Sequence, residues 1–152
     1  MIVKDIMNKA VATSAPERDL VSVIDIMRER DCGFLPVVDS HGVVVGVITD
    51  RDVCLGGGTK HRPLTRVSAK ETMSHPVFWC FPDENLKVVL ATMAKHRVRR
   101  LPVLNRSGHL EGVLSIDDIV LAPQQRGAPT AEEIVGALKG IYSARPIEAV
   151  TA

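Results

Sequence analysis

Two copies of one short pattern hold the residues best suited to chemistry in this sequence. Each copy has a glycine, a hydroxyl residue three positions later and a carboxylate three positions after that: Gly46, Thr49 and Asp52, then Gly112, Ser115 and Asp118. Aliphatic residues precede each hydroxyl, which predicts a turn from strand to helix. The free N–H groups of a first helical turn and the hydroxyl can bind phosphate, and the carboxylate can accept both hydroxyls of a ribose. The glycine would let a flat base or sugar approach the strand.

The same spacing is compatible with a purely structural role. A hydroxyl residue followed three positions later by a carboxylate also forms a helix-capping box, in which both side chains satisfy backbone N–H groups at a helix start. The pattern alone therefore leaves both interpretations open.

Other kinds of site are not indicated. The five histidines show no HxxxH or HExxH spacing and the three cysteines no CxxC spacing, so a metal site is not expected. The segment from Gly56 to Lys60 lacks the spacing of a phosphate-binding loop, and no nucleophile elbow is present. These absences argue against an enzyme.

The elements that must position these residues are duplicated. Residues 4–53 align without a gap on residues 70–119 with fourteen identities in fifty positions, where roughly three are expected by chance. The offset of 66 predicts two units of the same fold, residues 1–58 and 69–122. A basic connector, 59–68, separates them, and a loop with a C-terminal helix, 123–152, follows.

Each unit predicts the order β-α-β-β-α. A Val-containing extended stretch comes first, residues 11–14 or 77–80, and Pro16 or Pro82 then predicts a helix start. Apolar residues at helical spacing follow, including Met27 and Met93, which we expect in the core. Two strand-like runs form a hairpin, and a second helix begins after the hydroxyl residue. In the first unit, we expect the glycines at 56–58 to end that helix.

The predicted class is therefore α+β, with two units packed through their sheets. A single unit of this size leaves one face of a small sheet exposed, and its twin can cover that face. Thr130 and Glu133 have capping-box spacing, and a helix to Tyr142 with one apolar stripe needs a surface on this chain or on a partner. We expect the cysteines to be buried or half-buried, and Trp79 to lie in the core or at a dimer contact.

The two units resemble a pair of CBS (cystathionine β-synthase-type) motifs, a Bateman module. The markers are the DIM start at residues 5–7, the LPVVD and LPVL runs at 35–39 and 101–104, and the doubled ending described above. The resemblance covers about residues 3–120. It implies a pseudo-twofold disc with two clefts, which in this family often bind adenosine nucleotides or related ligands and regulate an attached or associated protein.

The resemblance also implies roles for residues. In the second-unit cleft, Ser115 would bind phosphate, Asp118 would bind ribose and Val113 would contact the base edge. Arg99 and Arg100 occupy positions that face the phosphate in this family. In the sister cleft, the corresponding residues are Thr49, Asp52 and Val47. The base would also lean on the backbone before the LPV run of the opposite unit, near Gly33 and Phe34 or near Val98. In the first unit, Gly33 and Phe34 stand at the positions that Arg99 and Arg100 occupy in the second. We therefore expect a phosphate-bearing ligand to prefer the Asp118 cleft.

Composition limits the partners. The 152 residues carry a formal net charge of +1, so no bulk field attracts nucleic acid or an anionic membrane. No apolar run is long enough to span a bilayer, and a cytoplasmic location is expected. We expect a regulatory ligand (AMP, ADP or ATP, or else NAD or S-adenosylmethionine), a homodimer and an unidentified regulated protein. The alternative is a constitutive interaction module whose hydroxyl-carboxylate pairs only cap helices.

Overall fold

A computed structural model describes residues 1–123 and 127–143. The helices are α1 (Leu20–Glu29), α2 (Asp50–Thr59), α3 (Leu86–His96), α4 (Ile116–Leu121) and α5 (Ala131–Tyr142). The strands are β1 (Phe34–Val38), β2 (Val44–Thr49), β3 (Arg100–Leu104) and β4 (Leu110–Ser115). Short 3-10 turns cover Val3–Asp5, Leu64–Arg66 and Ala69–Glu71.

The strands form two hairpins with the same register. Phe34 lies opposite Thr49 in the first hairpin and Arg100 opposite Ser115 in the second, and each hairpin has one irregularity near its turn. The stretches expected as first strands make only single parallel bridges, Ser14 with Val37 and Cys80 with Val103. The tandem α+β arrangement is confirmed, with each first strand reduced to one residue pair.

The first helix of each unit begins later than its proline indicates. Asp19 accepts a hydrogen bond from the N–H of Ser22 at 3.1 Å, and Asn85 accepts one from Lys87, so these residues cap α1 and α3. A side-chain acceptor fixes a helix start more directly than a proline several residues upstream. The expectation of a start at Pro16 or Pro82 is therefore wrong by about one turn.

The glycines at 56–58 do not end α2, which continues to Thr59. A Cβ at Gly57 would lie 2.5 Å from Cδ2 of Leu64. The missing side chain therefore lets the connector pack closely against α2. The expectation that this glycine run ends the helix is wrong.

The opening segments of the two units are exchanged. Val3 is buried in the core formed mainly by the second unit, and Val67 and Ala69 are buried in the core of the first. The N–H of Val3 donates to the carbonyl of Glu84 at 3.0 Å. The boundaries at 58 and 69 therefore divide the sequence into repeats, whereas each hydrophobic core takes a segment from both.

Symmetry-related bridges join the opening segment of each repeat to a strand of the other. Asn8 pairs with Val113, and Ser74, which lies 66 positions after Asn8, pairs with Val47. A further bridge joins Val43 to His109 near the hairpin turns. These reciprocal contacts give the molecule its pseudo-twofold character.

The C-terminal helix packs on its own chain. Ile134, Ala137 and Ile141 of α5 are buried against the second core. Nζ of Lys87 on α3 donates to Glu133 at 2.7 Å. The predicted helix is confirmed, and the surface that it covers belongs to the second repeat.

Three smaller expectations are decided by burial. Met27 and Met93 lie in the cores as expected. Trp79 is 42% exposed, so it is not a core residue, and its expected dimer contact stays a prediction. Cys54 is exposed, so the expectation of a buried or half-buried cysteine is wrong there. Cys80 is buried, and desolvation raises the pKa of its thiol to about 12. None of the helices in the described part of the chain is long and apolar enough to cross a membrane.

Candidate functional site

Both hydroxyl-carboxylate pairs form complete capping boxes. Oδ2 of Asp118 accepts from the N–H of Ser115 at 2.7 Å and from its hydroxyl at 2.6 Å, while Oγ of Ser115 accepts from the N–H of Asp118 at 3.1 Å. Thr49 and Asp52 make the same three contacts at 2.9, 2.7 and 3.1 Å. Each pair thus fixes a strand-to-helix turn and holds its carboxylate in one orientation.

The second carboxylate oxygens differ between the repeats. Oδ1 of Asp52 accepts from the hydroxyl of Ser74 at 3.2 Å, whereas Oδ1 of Asp118 accepts no hydrogen bond from the described residues. Asn8, the counterpart of Ser74, turns its side chain to the N–H of Ala10. Capping therefore leaves one oxygen of each carboxylate able to accept from a ligand.

Asp118 opens into a cleft of about 290 Å³, here the Asp118 cleft. Val113, Ser115 and Asp118 line one side, and the segment 30–34 of the first repeat lines the other, together with Arg100. Arg30 and Arg100 are offset by Asp31 and Asp118. The charges that line this cleft are balanced.

Asp52 opens into a second cleft of about 380 Å³, here the Asp52 cleft. Val47, Thr49, Asp52 and Ser74 face the segment 96–100 of the second repeat. The charged lining residues are Arg51, Arg97, Arg99 and Arg100, with Asp50 and Asp52. This cleft carries an excess of two positive charges before its histidines are counted.

The structure corrects the predicted placement of the arginines. Arg99 lines the Asp52 cleft and is absent from the lining of the Asp118 cleft, while Arg100 reaches both. Because the segment before each LPV run faces the opposite repeat, Val98 also lies with Asp52. Gly33 and Phe34 line both clefts. The premise that both arginines belong to the Asp118 cleft is wrong.

The two glycines of the pattern serve protein packing rather than a ligand. A Cβ at Gly46 would lie 2.3 Å from Sδ of Met73, and one at Gly112 would lie 2.7 Å from the carbonyl oxygen of Asn8. The exchanged opening segments fill the space that we expected a base or sugar to use.

Several cleft residues were missed by the sequence analysis. Ser74 binds Asp52, and the ring of His96 stacks on Phe78 at 3.9 Å along the wall of the Asp52 cleft. Arg97 and Arg30 contribute charge to the Asp52 and Asp118 clefts respectively. The offset of 66 could have indicated Ser74 and Asn8, since both follow the DIM-like start of a repeat.

No group of three or more histidine, cysteine, aspartate or glutamate residues is arranged to hold a metal ion within residues 1–123 and 127–143. What the clefts offer is hydrogen-bonding and charged groups at the junction of two sheets. This chemistry suits binding of a polar small molecule.

Known proteins show the same architecture. The CBS domain model matches residues 3–55 and 69–124. The CBS domain-containing protein YhcV of Bacillus subtilis is 31% identical over 119 residues, covering 78% of this chain and 83% of that protein.

Two solved structures are also similar. The CBS domain pair of protein MJ0100, in complex with 5′-methylthioadenosine and S-adenosyl-L-methionine, has a TM-score of 0.71 and 26% identity, covering 79% of this chain and 93% of that one. Hypoxic Response Protein I with two coordinated zinc ions has a TM-score of 0.74 and 27% identity, covering 81% of this chain and 100% of that one. With both repeats matched by the family model and positioned as in solved pairs, the chain belongs to the CBS domain family and contains two CBS domains in tandem.

Proposed function

We propose that this protein is a regulatory module that binds an adenosyl ligand in its two clefts. The observation that carries the proposal is the orientation of Asp52 and Asp118, each fixed by a capping box with a second oxygen left to accept a hydrogen bond. The related MJ0100 pair binds 5′-methylthioadenosine and S-adenosyl-L-methionine. The candidate ligands here are AMP, ADP, ATP, NAD and S-adenosylmethionine.

The proposed roles follow the lining of the clefts. In each cleft, the aspartate binds the ribose, and Val47 or Val113 contacts the base. Thr49 or Ser115 binds phosphate with its hydroxyl, which for this turns from the aspartate to the ligand. Gly33 and Phe34 support the base in the Asp118 cleft, and Val98 does so in the Asp52 cleft. Arg99 and Arg100 bind phosphate.

Charge favours different ligands in the two clefts. The arginine-rich wall supports placing a phosphate-bearing ligand in the Asp52 cleft, because charge-assisted hydrogen bonds to phosphate are stronger than neutral ones. The balanced charges around Asp118 suit an adenosyl ligand with little negative charge. This assignment reverses the preference expected from the sequence.

Regulation follows from the position of the clefts between the repeats. A ligand that contacts both repeats favours the arrangement in which they are closest to it, and so shifts the population of conformations without turnover. The protein is not an enzyme under this proposal. The regulated partner is a separate protein or a second copy.

A homodimer through the first repeat is part of the proposal. Val21 and Ile24 on α1 and Leu55 on α2 are 38%, 37% and 53% exposed. Ile24 lines a groove of about 790 Å³ beside these helices, together with the apolar residues Met27, Val53 and Leu64. The second repeat has α5 on its helical face. Exposed apolar side chains beside an open apolar groove support a pairing surface on the first repeat.

One observation favours a second candidate, a constitutive interaction module. The capping boxes are complete without any ligand, so helix capping alone accounts for one oxygen of each aspartate. The two candidates differ in whether adenosyl compounds stabilise the fold.

Thermal unfolding in the presence of each candidate ligand separates them. At 100 times its dissociation constant, a ligand specific for the folded state adds about 2.7 kcal/mol to the free energy of unfolding. We expect at least one candidate to do so, and expect the double variant Asp52→Asn, Asp118→Asn to lose the effect. If all five leave the wild-type midpoint unchanged at millimolar concentration, the interaction module replaces the proposed function.

A further inference from the structure

Arg97 holds an unusual backbone conformation at the wall of the Asp52 cleft. It ends α3 with φ 55° and ψ 43°, in the left-handed region. This conformation disfavours residues with a Cβ and is populated mainly by glycine, asparagine and aspartate. The counterpart 66 positions earlier, Asp31, has φ 47° and is one of those favoured types, whereas arginine is not.

Helix termination alone does not explain an arginine at this position. The N–H of Arg97 donates to the carbonyls of Met93 and Ala94, a backbone contact that any residue except proline can make. Glycine would make the same contact without the steric cost. The reason for an arginine at this position therefore lies in its side chain.

The protein neutralises only part of the positive charge around Arg97. Arg97, Arg99 and Arg100 line one wall of the cleft, and none of the three forms an ion pair with a carboxylate of the described residues. Arg97 and Arg100 are half-buried. Like charges held together and partly removed from water are unfavourable unless an anion joins them.

We propose that Arg97 binds the phosphate chain of the ligand and thereby sets the preference of the Asp52 cleft for phosphorylated over unphosphorylated adenosyl ligands. The inference rests on the proposed function of that cleft. A guanidinium matches phosphate oxygens in a two-pronged hydrogen bond. Binding of a phosphate relieves the repulsion among the arginines, and the strained backbone is retained because it directs the side chain to this wall.

The variant Arg97→Asn tests the proposal, because asparagine tolerates the left-handed conformation and carries no charge. ATP and adenosine are titrated into the wild type and the variant by calorimetry. We expect ATP to bind about ten to one hundred times more weakly to the variant, with adenosine affinity changed less than twofold. The midpoint of thermal unfolding without ligand should not fall, which shows that the variant folds.

Arg106→Asn is the matched control. Arg106 is an exposed arginine of the same repeat that pairs with Asp83 and lines neither cleft. Its loss changes net charge by the same amount and should leave ATP affinity within twofold. A general charge effect would instead weaken ATP binding equally in both variants, and this result would overturn the inference.

Two further outcomes would reject the proposed role of Arg97. Unchanged ATP affinity in Arg97→Asn, or an equal loss for ATP and adenosine, rejects the role of Arg97 while leaving adenosyl binding intact. A wild-type protein that binds neither compound rejects the proposed function, and the inference with it.

Discussion

Asp52 and Asp118 each combine two roles in one carboxylate. One oxygen satisfies a backbone N–H and a hydroxyl at a helix start, and the other is directed to a cleft. The structural and functional interpretations of the pattern are thus compatible. Substitutions can separate them because capping affects the free energy of unfolding and ligand binding affects affinity.

Replacing Asp118 with asparagine should affect both quantities. Loss of charge-assisted hydrogen bonds to ribose lowers the affinity of that cleft for an adenosyl ligand by about tenfold or more. The weaker helix cap lowers the free energy of unfolding by roughly 0.5–2 kcal/mol. Calorimetric titration and urea unfolding measure the two effects. Glu133→Gln alters a capping box outside both clefts and should reduce stability alone. Unchanged affinity in Asp118→Asn would contradict the proposed role of this residue.

The glycine of β4 that packs against the exchanged opening segment gives a stability prediction. Gly112→Ala should destabilise the fold by about 1–3 kcal/mol, because the new Cβ would meet a backbone oxygen of Asn8 and overpacking is costly. Gly58→Ala is the control, since nothing lies within 4 Å of its Cβ and alanine is the better helix residue by roughly 0.5–1 kcal/mol. Urea unfolding should move the two midpoints in opposite directions. Equal shifts would show that the close approach at Gly112 is unimportant.

At the scale of elements, apolar spacing predicted the hairpins and most helices. β1 and β2 follow the LPVVD and VVVGVI runs, and α5 begins after the predicted cap Thr130. The starts of α1 and α3 were missed because Asp19 and Asn85 compete with the prolines as signals. The first strands were overestimated because extended residues need a partner along their length, and Ser14 and Cys80 each have one bridge.

The attachment of α5 to α3 should depend on pH. Hydrogen bonds from Lys87 and from the backbone of Thr130 lower the pKa of Glu133 below its ordinary value of 4.5. A carboxyl group whose pKa is lower in the folded state contributes stability above its unfolded value, and that contribution disappears as the pH falls through the folded value. Unfolding from pH 7 to 3 should therefore show a loss of stability below about pH 4.5.

Glu133→Gln supplies the control for this acid-dependent loss. The variant should be less stable than the wild type at pH 7 and should approach it at pH 3, because the group that titrates is gone. A constant difference between the two proteins across this range would show that the Lys87 contact contributes nothing to stability.

At the scale of the molecule, the two repeats are joined by exchange as well as by contact. Val3 and Ala69 occupy equivalent positions in opposite cores. The repeat could be recognised in the sequence, but nothing in the sequence indicated that each opening segment packs in the core of the other repeat. The sequence analysis expected the segment before each LPV run to face the opposite unit, yet it assigned Arg99 to the cleft of its own unit. Arg99 belongs with Asp52 because each cleft takes one wall from each repeat. The cleft-lining residue types themselves, a hydroxyl and a carboxylate, could be predicted from local spacing.

The dimer proposed for the first repeat has a direct test. Sedimentation velocity at micromolar concentration should give a homodimer for the wild type. Ile24→Glu places a charge on the exposed face of α1 and should give a monomer. Val135→Glu, on an exposed position of α5, should leave the dimer intact. A wild-type monomer would contradict the proposed pairing.

A crystal structure of the protein grown with ATP tests the central claim most directly. The account predicts the ribose hydroxyls on Oδ1 of Asp52, with the phosphates against Arg97, Arg99 and Arg100 from the opposite repeat. Nucleotide bound away from both clefts, or clefts closed by the protein's own side chains at saturating ATP, would contradict it.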